Sequence, residues 1–180
     1  MNIRSGLPAV KSIIKESIFL ENTREGLLSD VNTIITVANN ETGVNEPAIW
    51  INQHPTTVAN DKVSLSNDLK LNTIFEFVCI EYDPNPEIAE LKGQDLATRV
   101  VQSIQKNWRG VQKEYGERVI TNIEFYMFYP VGEVTIRGKR EKVPATSVAL
   151  NIVHYISWLN CCRKKENTEN IDENNEDNGD

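Results

Sequence analysis

The chain has 180 residues, of which 39% are hydrophobic and 25% are charged, and its formal net charge is −7. This length suits one domain with a substantial core and is too short for two. Residues 166–180 contain seven acidic side chains and no Lys or Arg, while residues 1–165 carry 19 acidic and 19 basic groups, which excludes a global attraction to nucleic acid or acidic lipid. We predict one domain over residues 1–162 and a disordered acidic tail over residues 163–180.

The cysteines and the N-terminal segment indicate a soluble protein that works where it is made. Cys79, Cys161 and Cys162 lack the paired spacing of a zinc site or a secreted disulfide framework, so we expect reduced thiols. Lys11 and Glu16 interrupt the apolar residues near the N-terminus, which argues against a signal peptide. No segment approaches the roughly 20 apolar residues needed to span a bilayer.

The first 40 residues show helical spacing of apolar side chains. One set predicts an N-terminal amphipathic helix and comprises Leu7, Val10, Ile14 and Ile18. A second set follows Gly26 and comprises Leu27, Val31, Ile34, Ile35 and Ala38. The two sets predict either two helices or one interrupted helix, which ends at the polar run 39–43.

Two strands are predicted next. A short strand covers residues 48–51 after Pro47, and residues 52–60 are expected to form a loop. The strongest strand signal runs from Leu71 to Tyr82, which is rich in β-branched and aromatic residues. Its apolar side chains alternate between two faces. One face comprises Ile74, Val78, Ile80 and Tyr82, and the other comprises Phe75, Phe77 and Cys79. Both faces are therefore expected to be covered.

A central amphipathic helix and two further strands complete the predicted order. Residues 83–86 end the preceding strand, Gly93 is a possible kink in the helix, and residues 109–116 are expected to form a loop. The helix stripe comprises Ile88, Leu91, Ala97, Val100, Val101, Ile104 and Trp108. A strand over residues 120–129, which residues 133–137 could continue, precedes a last strand over residues 147–158. We predict an α+β fold: a mostly antiparallel sheet packed against an N-terminal helix and a central amphipathic helix, with a long β-hairpin.

Histidines and glycines suggest no catalytic site. His54 follows the first predicted strand and is interpreted as a surface residue, and His154 shares a strand face with Ile152 and Ile156 and is interpreted as a satisfied core or interface histidine. Neither histidine has a sequence neighbour that completes a metal or nucleophile motif. No phosphate-binding glycine loop occurs. We expect no enzyme, no cofactor and no metal.

Carboxylates at strand ends are the one enzymatic alternative. Glu76, Glu81, Asp83 and Glu124 could hold Mg²⁺ for a nuclease. The competing interpretation places these glutamates on solvated strand faces and Asp83 in the turn that initiates the central helix. That interpretation is favoured because both placements are routine.

A basic cluster between the last two strands is the candidate contact for a partner. Arg137, Lys139, Arg140 and Lys142 flank Gly138. The simplest interpretation is a solvated hairpin tip. The alternative is a tip that contacts DNA phosphates or an acidic partner surface, because a basic tip on a neutral body attracts negatively charged groups locally.

The order of elements resembles a known family. An N-terminal helix precedes a short strand opening with Pro47-Ala48-Ile49, a long strand over residues 73–80, a helix and two final strands. Over residues 7–158 this order is similar to the tail terminator or tail completion proteins of long-tailed bacteriophages, which are related to head-tail joining and tail tube folds.

The resemblance implies a structural virion protein that is assembled in the host cytoplasm. It would form a homo-hexameric ring that caps the tail tube, ends tube polymerisation and docks the head completion or neck protein. DNA would pass through the lumen without sequence-specific binding, and no membrane would be involved. An unpaired strand edge could recruit the neighbouring subunit. Two alternatives stay open, the metal-dependent nuclease and a cytoplasmic adaptor that binds a peptide by strand addition.

Overall fold

The computed structural model describes residues 6–35, 45–58, 68–115, 119–135 and 142–157. Its elements in chain order are α1 (Gly6–Phe19), β1 (Thr33–Ile35), β2 (Ala48–Val58), β3 (Asp68–Ile80), α2 (Pro86–Tyr115), β4 (Ile120–Thr135) and β5 (Lys142–Ser157). The predicted α+β class, with two helices on a mostly antiparallel sheet, is confirmed. The predicted acidic tail and the thiols of Cys161 and Cys162 lie outside the described residues.

The five strands form one sheet in the order β1-β2-β3-β5-β4. β1 is parallel to β2, and the other neighbouring strands are antiparallel. β3 pairs with β5 from Asp68↔Ser157 to Ile80↔Ala145, whereas β4 continues to pair with β5 as far as Thr135↔Lys142. The long β-hairpin is therefore confirmed, and it extends beyond the end of β3.

Both helices pack on the same face of the sheet and form the main core there. α2 lies against β3 and β5, and α1 packs on α2. The buried side of α1 comprises Ala9, Val10, Ile13, Ile14 and Ile18. Phe75, Phe77 and Cys79 of β3 face this core, while Val78 and Ile80 belong to a smaller buried cluster on the opposite face. The predicted burial is confirmed for Phe75, Phe77 and Cys79 on the helix side and for Val78 and Ile80 on the other face, whereas Tyr82 lies beyond the end of β3 and is 38% exposed.

The predicted second helix is wrong. Residues 20–30 form successive turns, and residues 33–35 form β1. Asn22 donates side-chain hydrogen bonds to the carbonyl oxygens of Leu28 and Val31, which stabilises the turns in place of helical bonds. At Gly26, a Cβ atom would lie 2.1 Å from the carbonyl oxygen of Glu21, so the close turn requires glycine. The helical spacing after Gly26 is therefore overridden by local side-chain to backbone bonding and by pairing of β1 with β2.

The predicted loop over residues 52–60 is wrong for its first seven positions, which continue β2. The register of β2 on β3 shifts between Gln53 and Thr56, at the site of Pro55. A bulge is where a strand tolerates proline, since no ladder hydrogen bond from its nitrogen is needed there. The proline thus interrupts the register without ending the strand.

The central helix is longer than predicted, and its predicted buried stripe is confirmed at Ala97, Val100, Ile104 and Trp108 but is wrong in the first turns. α2 continues through residues 109–115, which were expected to form a loop. Ile88 and Leu91 are exposed, and the buried side begins instead at Ala89 and Gly93. α2 is continuous at Gly93, where a Cβ atom would lie 3.1 Å from Thr146 Oγ1. Glycine here permits close approach of the helix to the sheet.

Candidate interaction surface

The carboxylates considered for a metal centre have separate partners. Asp83 forms an ion pair with Lys92 at 2.9 Å, and Glu124 accepts hydrogen bonds from Asn122 at 3.0 Å and Asn151 at 3.1 Å. Burial raises the pKa of Glu81. Among the residues that the structure describes, no group of three or more His, Cys, Asp or Glu side chains could hold a metal ion. The nuclease alternative therefore has no assembled site in this part of the chain.

Glu76 instead links four strands on the face of the sheet opposite the helices. Its Oε1 accepts hydrogen bonds from the hydroxyl of Tyr129 in β4 and, at 2.8 Å, from Ser147 Oγ in β5. Its Oε2 accepts from Asn52 Nδ2 at 3.5 Å and lies 3.1 Å from His54 Nε2, both in β2. Burial alone raises the pKa of Glu76, but these hydrogen bonds outweigh it and hold the pKa below its ordinary value. The carboxylate thus links β3 to β2, β4 and β5 through side-chain hydrogen bonds.

The two histidines occupy different environments. His54 is exposed, as predicted, but it lies in β2 rather than in a loop. His154 is fully buried, and its Nε2 lies 3.0 Å from Thr73 Oγ1. Its Nδ1 has no hydrogen-bond partner among the described residues, so only half of the imidazole is satisfied. Burial lowers the pKa of His154, which keeps the ring neutral in the core.

The most unusual surface feature is an apolar stretch on β4, the long edge strand of the sheet. Five large hydrophobic side chains there are between 39% and 56% exposed. This surface, called the β4 patch below, comprises Phe125, Tyr126, Met127, Phe128 and Val131. The strand is predicted from the sequence, but the exposure of these side chains is not. The sequence feature that could have indicated this exposure is the run of consecutive apolar residues, which departs from the alternation of a half-buried strand.

Bulges shape the β4 patch. The register of β4 on β5 shifts three times, between Ile120 and Asn122, between Phe125 and Met127, and between Pro130 and Gly132. Phe125 pairs with Leu150 and Phe128 with Val148, both of which are core residues on the helix side. The two phenylalanines therefore lie on the same face, with ring centroids 4.8 Å apart. The bulge at Tyr126 thus creates an exposed aromatic pair that a regular strand would separate.

The same bulges bear on how a partner can bind. An added strand needs a regular row of unpaired backbone groups along the edge, and bulges interrupt that row. Partner binding at β4 is therefore favoured through side chains, with the aromatic pair at its centre, over simple extension of the sheet.

The basic residues predicted as a partner contact are not placed by the structure. Arg137, Lys139 and Arg140 lie outside the described residues, and of Lys142 only the backbone, which begins β5, is described. Their role at the tip of the hairpin stays a prediction.

Neither α1 nor α2, the helices of the described part, has an apolar stretch long enough to cross a membrane. No protein-family model matches the chain. No curated protein is significantly similar to it.

Proposed function

We propose that this protein is a structural assembly protein that associates with copies of itself through the β4 patch. Within that class, we propose a tail terminator or a close neck relative: a homo-hexameric ring that caps a phage tail tube, ends its polymerisation and docks the head completion protein. The observation that carries self-association is the exposure of five large apolar side chains on an edge strand. The resemblance in the order of elements is what suggests the tail.

The size of the β4 patch supports this proposal. With roughly 200 Å² per aromatic side chain and exposed fractions of 49% and 45%, Phe125 and Phe128 present roughly 200 Å² of apolar surface on the helix side, whereas Met127 pairs with Ala149 and lies on the other face. A standard interface buries about 800 Å² per partner, of which somewhat more than half is apolar. The aromatic pair therefore supplies about half of the apolar area that one such interface requires and is suited to form its centre.

The chemistry of the surface also suits a second copy better than nucleic acid. The patch has Glu124 beside it and no Lys or Arg between residues 120 and 135. Binding to DNA depends mainly on Lys and Arg contacts to phosphates, which this strand lacks. If the protein surrounds DNA, the basic residues 137–142 are the candidates to face it, and the β4 patch is left for contacts between subunits.

The experiment that tests the proposal has two parts. Multi-angle light scattering over a range of concentrations measures the mass of the wild-type protein and of Phe128→Glu, which places a charge in the aromatic pair. We expect a hexameric mass for wild type and the monomer mass of 20.4 kDa for the variant. Negative-stain images of wild-type protein mixed with tail tubes should show rings at the tube ends.

Two results would count against the proposal. If the wild-type protein is monomeric at all concentrations, self-association is contradicted. The cytoplasmic adaptor is then the better explanation. A ring that never associates with tail tubes would support self-association but contradict the proposed role at the phage tail.

A further inference from the structure

His154 is an ionisable ring at an apolar position of the sheet. It is fully buried, and because side chains alternate along a strand it lies on the same side of β5 as Leu150 and Ile152 of the main core. Its partners in the sheet are Leu71 of β3 and Ile120 of β4. The ring therefore lies among apolar residues of three strands.

A row of hydroxyl groups connects one nitrogen of this ring to β2. Nε2 of His154 lies 3.0 Å from Thr73 Oγ1, which in turn lies 2.8 Å from Thr56 Oγ1. Thr73 is fully buried, and Thr56 is half-buried at the end of the register shift in β2. The hydrogen-bonding requirement of Nε2 is thus met within the fold.

The other ring nitrogen determines how a further proton would be received. Nδ1 of His154 has no hydrogen-bond partner among the residues that the structure describes. A buried N–H without an acceptor is rarer in proteins than a buried acceptor without a donor. We therefore assign the proton of the neutral ring to Nε2, which donates it to Thr73. A second proton would bind at Nδ1, where it would create a charge and an N–H group that no described residue accepts.

No carboxylate among the described residues offsets that charge. Burial lowers the pKa of His154, and no charged group there acts against it. Lys70 and Tyr155 are paired with each other on the opposite face of the sheet, and the hydroxyl of Tyr115 donates to Glu16. The ionisable side chains on the surrounding elements are Lys11 and Glu16 of α1, Lys113, Glu114 and Tyr115 of α2, His54 of β2, Lys70 of β3, Glu124 of β4 and Tyr155 of β5.

The start of β4, beside His154, is held partly by side chains. The register of β4 on β5 shifts directly after Ile120. The backbone N–H of Ile120 donates to Gln112 Oε1 of α2, and Thr121 Oγ1 donates to the carbonyl oxygen of Val153 at 3.0 Å. Because these bonds replace part of the strand ladder, this end of β4 is expected to open before the regular part of the hairpin.

We propose that His154 is an acid-sensitive link between β5 and the start of β4: when its ring takes up a proton, residues 119–122 detach from β5. The folded state resists the proton because the new N–H group has no acceptor and the charge has no counter-ion. The opened segment admits water, which supplies both. The β4 patch begins shortly after this segment, so mild acid acts on the strand that carries the patch.

The direction of the pH effect follows from burial. Since the pKa of His154 is lower in the folded protein than in the unfolded chain, its stabilisation is fully present above the unfolded pKa of about 6.5. It is lost as pH falls below that value. The loss from this group ends once the folded ring is itself protonated.

Nuclear magnetic resonance of the ring measures protonation directly. The chain has two histidines, so His54→Gln leaves one ring signal to follow. Combining this change with Phe128→Glu keeps assembly out of the measurement, and the double variant is called the parent below. We expect the His154 signal to stay at its neutral position from pH 8 to about 6.5 and to shift only at lower pH. The amides of residues 119–122 should exchange faster with solvent over the same range in which the ring shifts.

Urea denaturation measures the effect on stability. The unfolding equilibrium constant of the parent should rise up to tenfold per pH unit below about 6.5, since the unfolded chain binds one proton more than the folded chain. Adding His154→Gln, whose side-chain amide can still donate to Thr73 but cannot titrate, should remove this rise. Every other titrating group is common to the two proteins, so their difference isolates His154.

A second variant keeps the test decisive if His154→Gln does not fold. Thr73→Val preserves the shape of the side chain and removes the acceptor of Nε2. The His154 ring signal should then shift at a lower pH than in the parent, because a charged donor loses more than a neutral one when its acceptor is removed.

Three results would overturn the proposal. The first is a His154 ring that titrates at or above about pH 6.5. The second is a ring that takes up its proton while the amides of residues 119–122 stay protected. The third is parallel urea curves with and without His154→Gln. A wild-type monomer would contradict the proposed self-association and leave this inference standing, because each measurement uses a chain that does not assemble.

Discussion

β3 and β4 are both long and rich in apolar residues, yet the sheet uses them in opposite ways. β3 lies in the centre of the sheet, where Phe75 and Phe77 are fully buried beneath the helices. β4 lies at the edge, where Phe125 and Phe128 have similar side chains but stay about half exposed. The contrast shows that the apolar content of a strand does not by itself determine how deeply the strand is buried. The position of the strand in the sheet decides how much of it the same chain covers.

The largest expected effect is a loss of stability when a buried side chain of β3 is truncated. Phe77→Ala should lower the free energy of unfolding by about 3–5 kcal/mol, because it opens a cavity in the main core. Urea denaturation of this change in the Phe128→Glu background measures the effect without a contribution from assembly. A loss below about 1 kcal/mol would mean that the centre of the sheet is less tightly packed than its burial indicates.

A smaller effect is expected at Glu76, which ties β3 to its neighbours and to β4. Glu76→Ala should cost about 2 kcal/mol, because the part-buried hydroxyls of Tyr129 and Ser147 lose their acceptor. Glu124→Ala is the matched control on β4, and there the exposed carboxylate should change stability by no more than about 0.5 kcal/mol. Equal losses from urea denaturation of the two variants would contradict the four-strand link.

The same carboxylate should make stability depend on pH. Since its pKa is lower in the folded protein than in the unfolded chain, the stabilisation is fully present above the unfolded pKa of about 4.3. It is lost as pH falls through the folded pKa. Urea denaturation at a series of pH values from 6 to 3 should show wild type losing more stability in acid than Glu76→Gln. Parallel curves for the two proteins would show that Glu76 does not titrate differently on folding.

The smallest effect on stability is expected on β4 itself. Phe125→Ser should change the free energy of unfolding by only about 0.5 kcal/mol, because the side chain is half exposed. The same change should weaken assembly measured by light scattering, since it removes one ring of the aromatic pair. If Phe125→Ser instead destabilises the monomer as strongly as Phe77→Ala, β4 is covered within its own chain and the comparison between the two strands fails.

Part of the fold could be predicted from local pattern because local forces decide it. The spacing of Val10, Ile14 and Ile18 predicts α1, and the alternation in residues 74–80 predicts the two faces of β3. Both features follow from periodicity and from the burial of one face or both. The buried stripe of α2 was partly predicted. The prediction was wrong in the first turns because Ile88 and Leu91 are apolar but exposed.

The errors at residues 33–35 and 52–58 share one cause, which is pairing with strands that are distant in sequence or not recognisable from the local pattern. Residues 33–35 have helical spacing with their predecessors, but they pair with β2, and Arg99 of α2 binds the preceding turns. Residues 52–58 look like a loop because of Pro55, but pairing with β3 continues past the bulge. Neither pairing partner can be recognised from the local pattern.

The amino-acid sequence by itself determined the α+β class, the helix at the N-terminus, the buried centre of the sheet and the neutrality of the body before the acidic tail. These depend on composition and on the period of apolar residues. Only the tertiary structure decided that Glu76 joins four strands and that β4 is an edge of the described sheet. Strand order places side chains from distant segments together, and no local pattern encodes that order. The sequence of β4 predicts buried apolar residues. They form a surface instead because nothing in the described part of the chain lies beyond them.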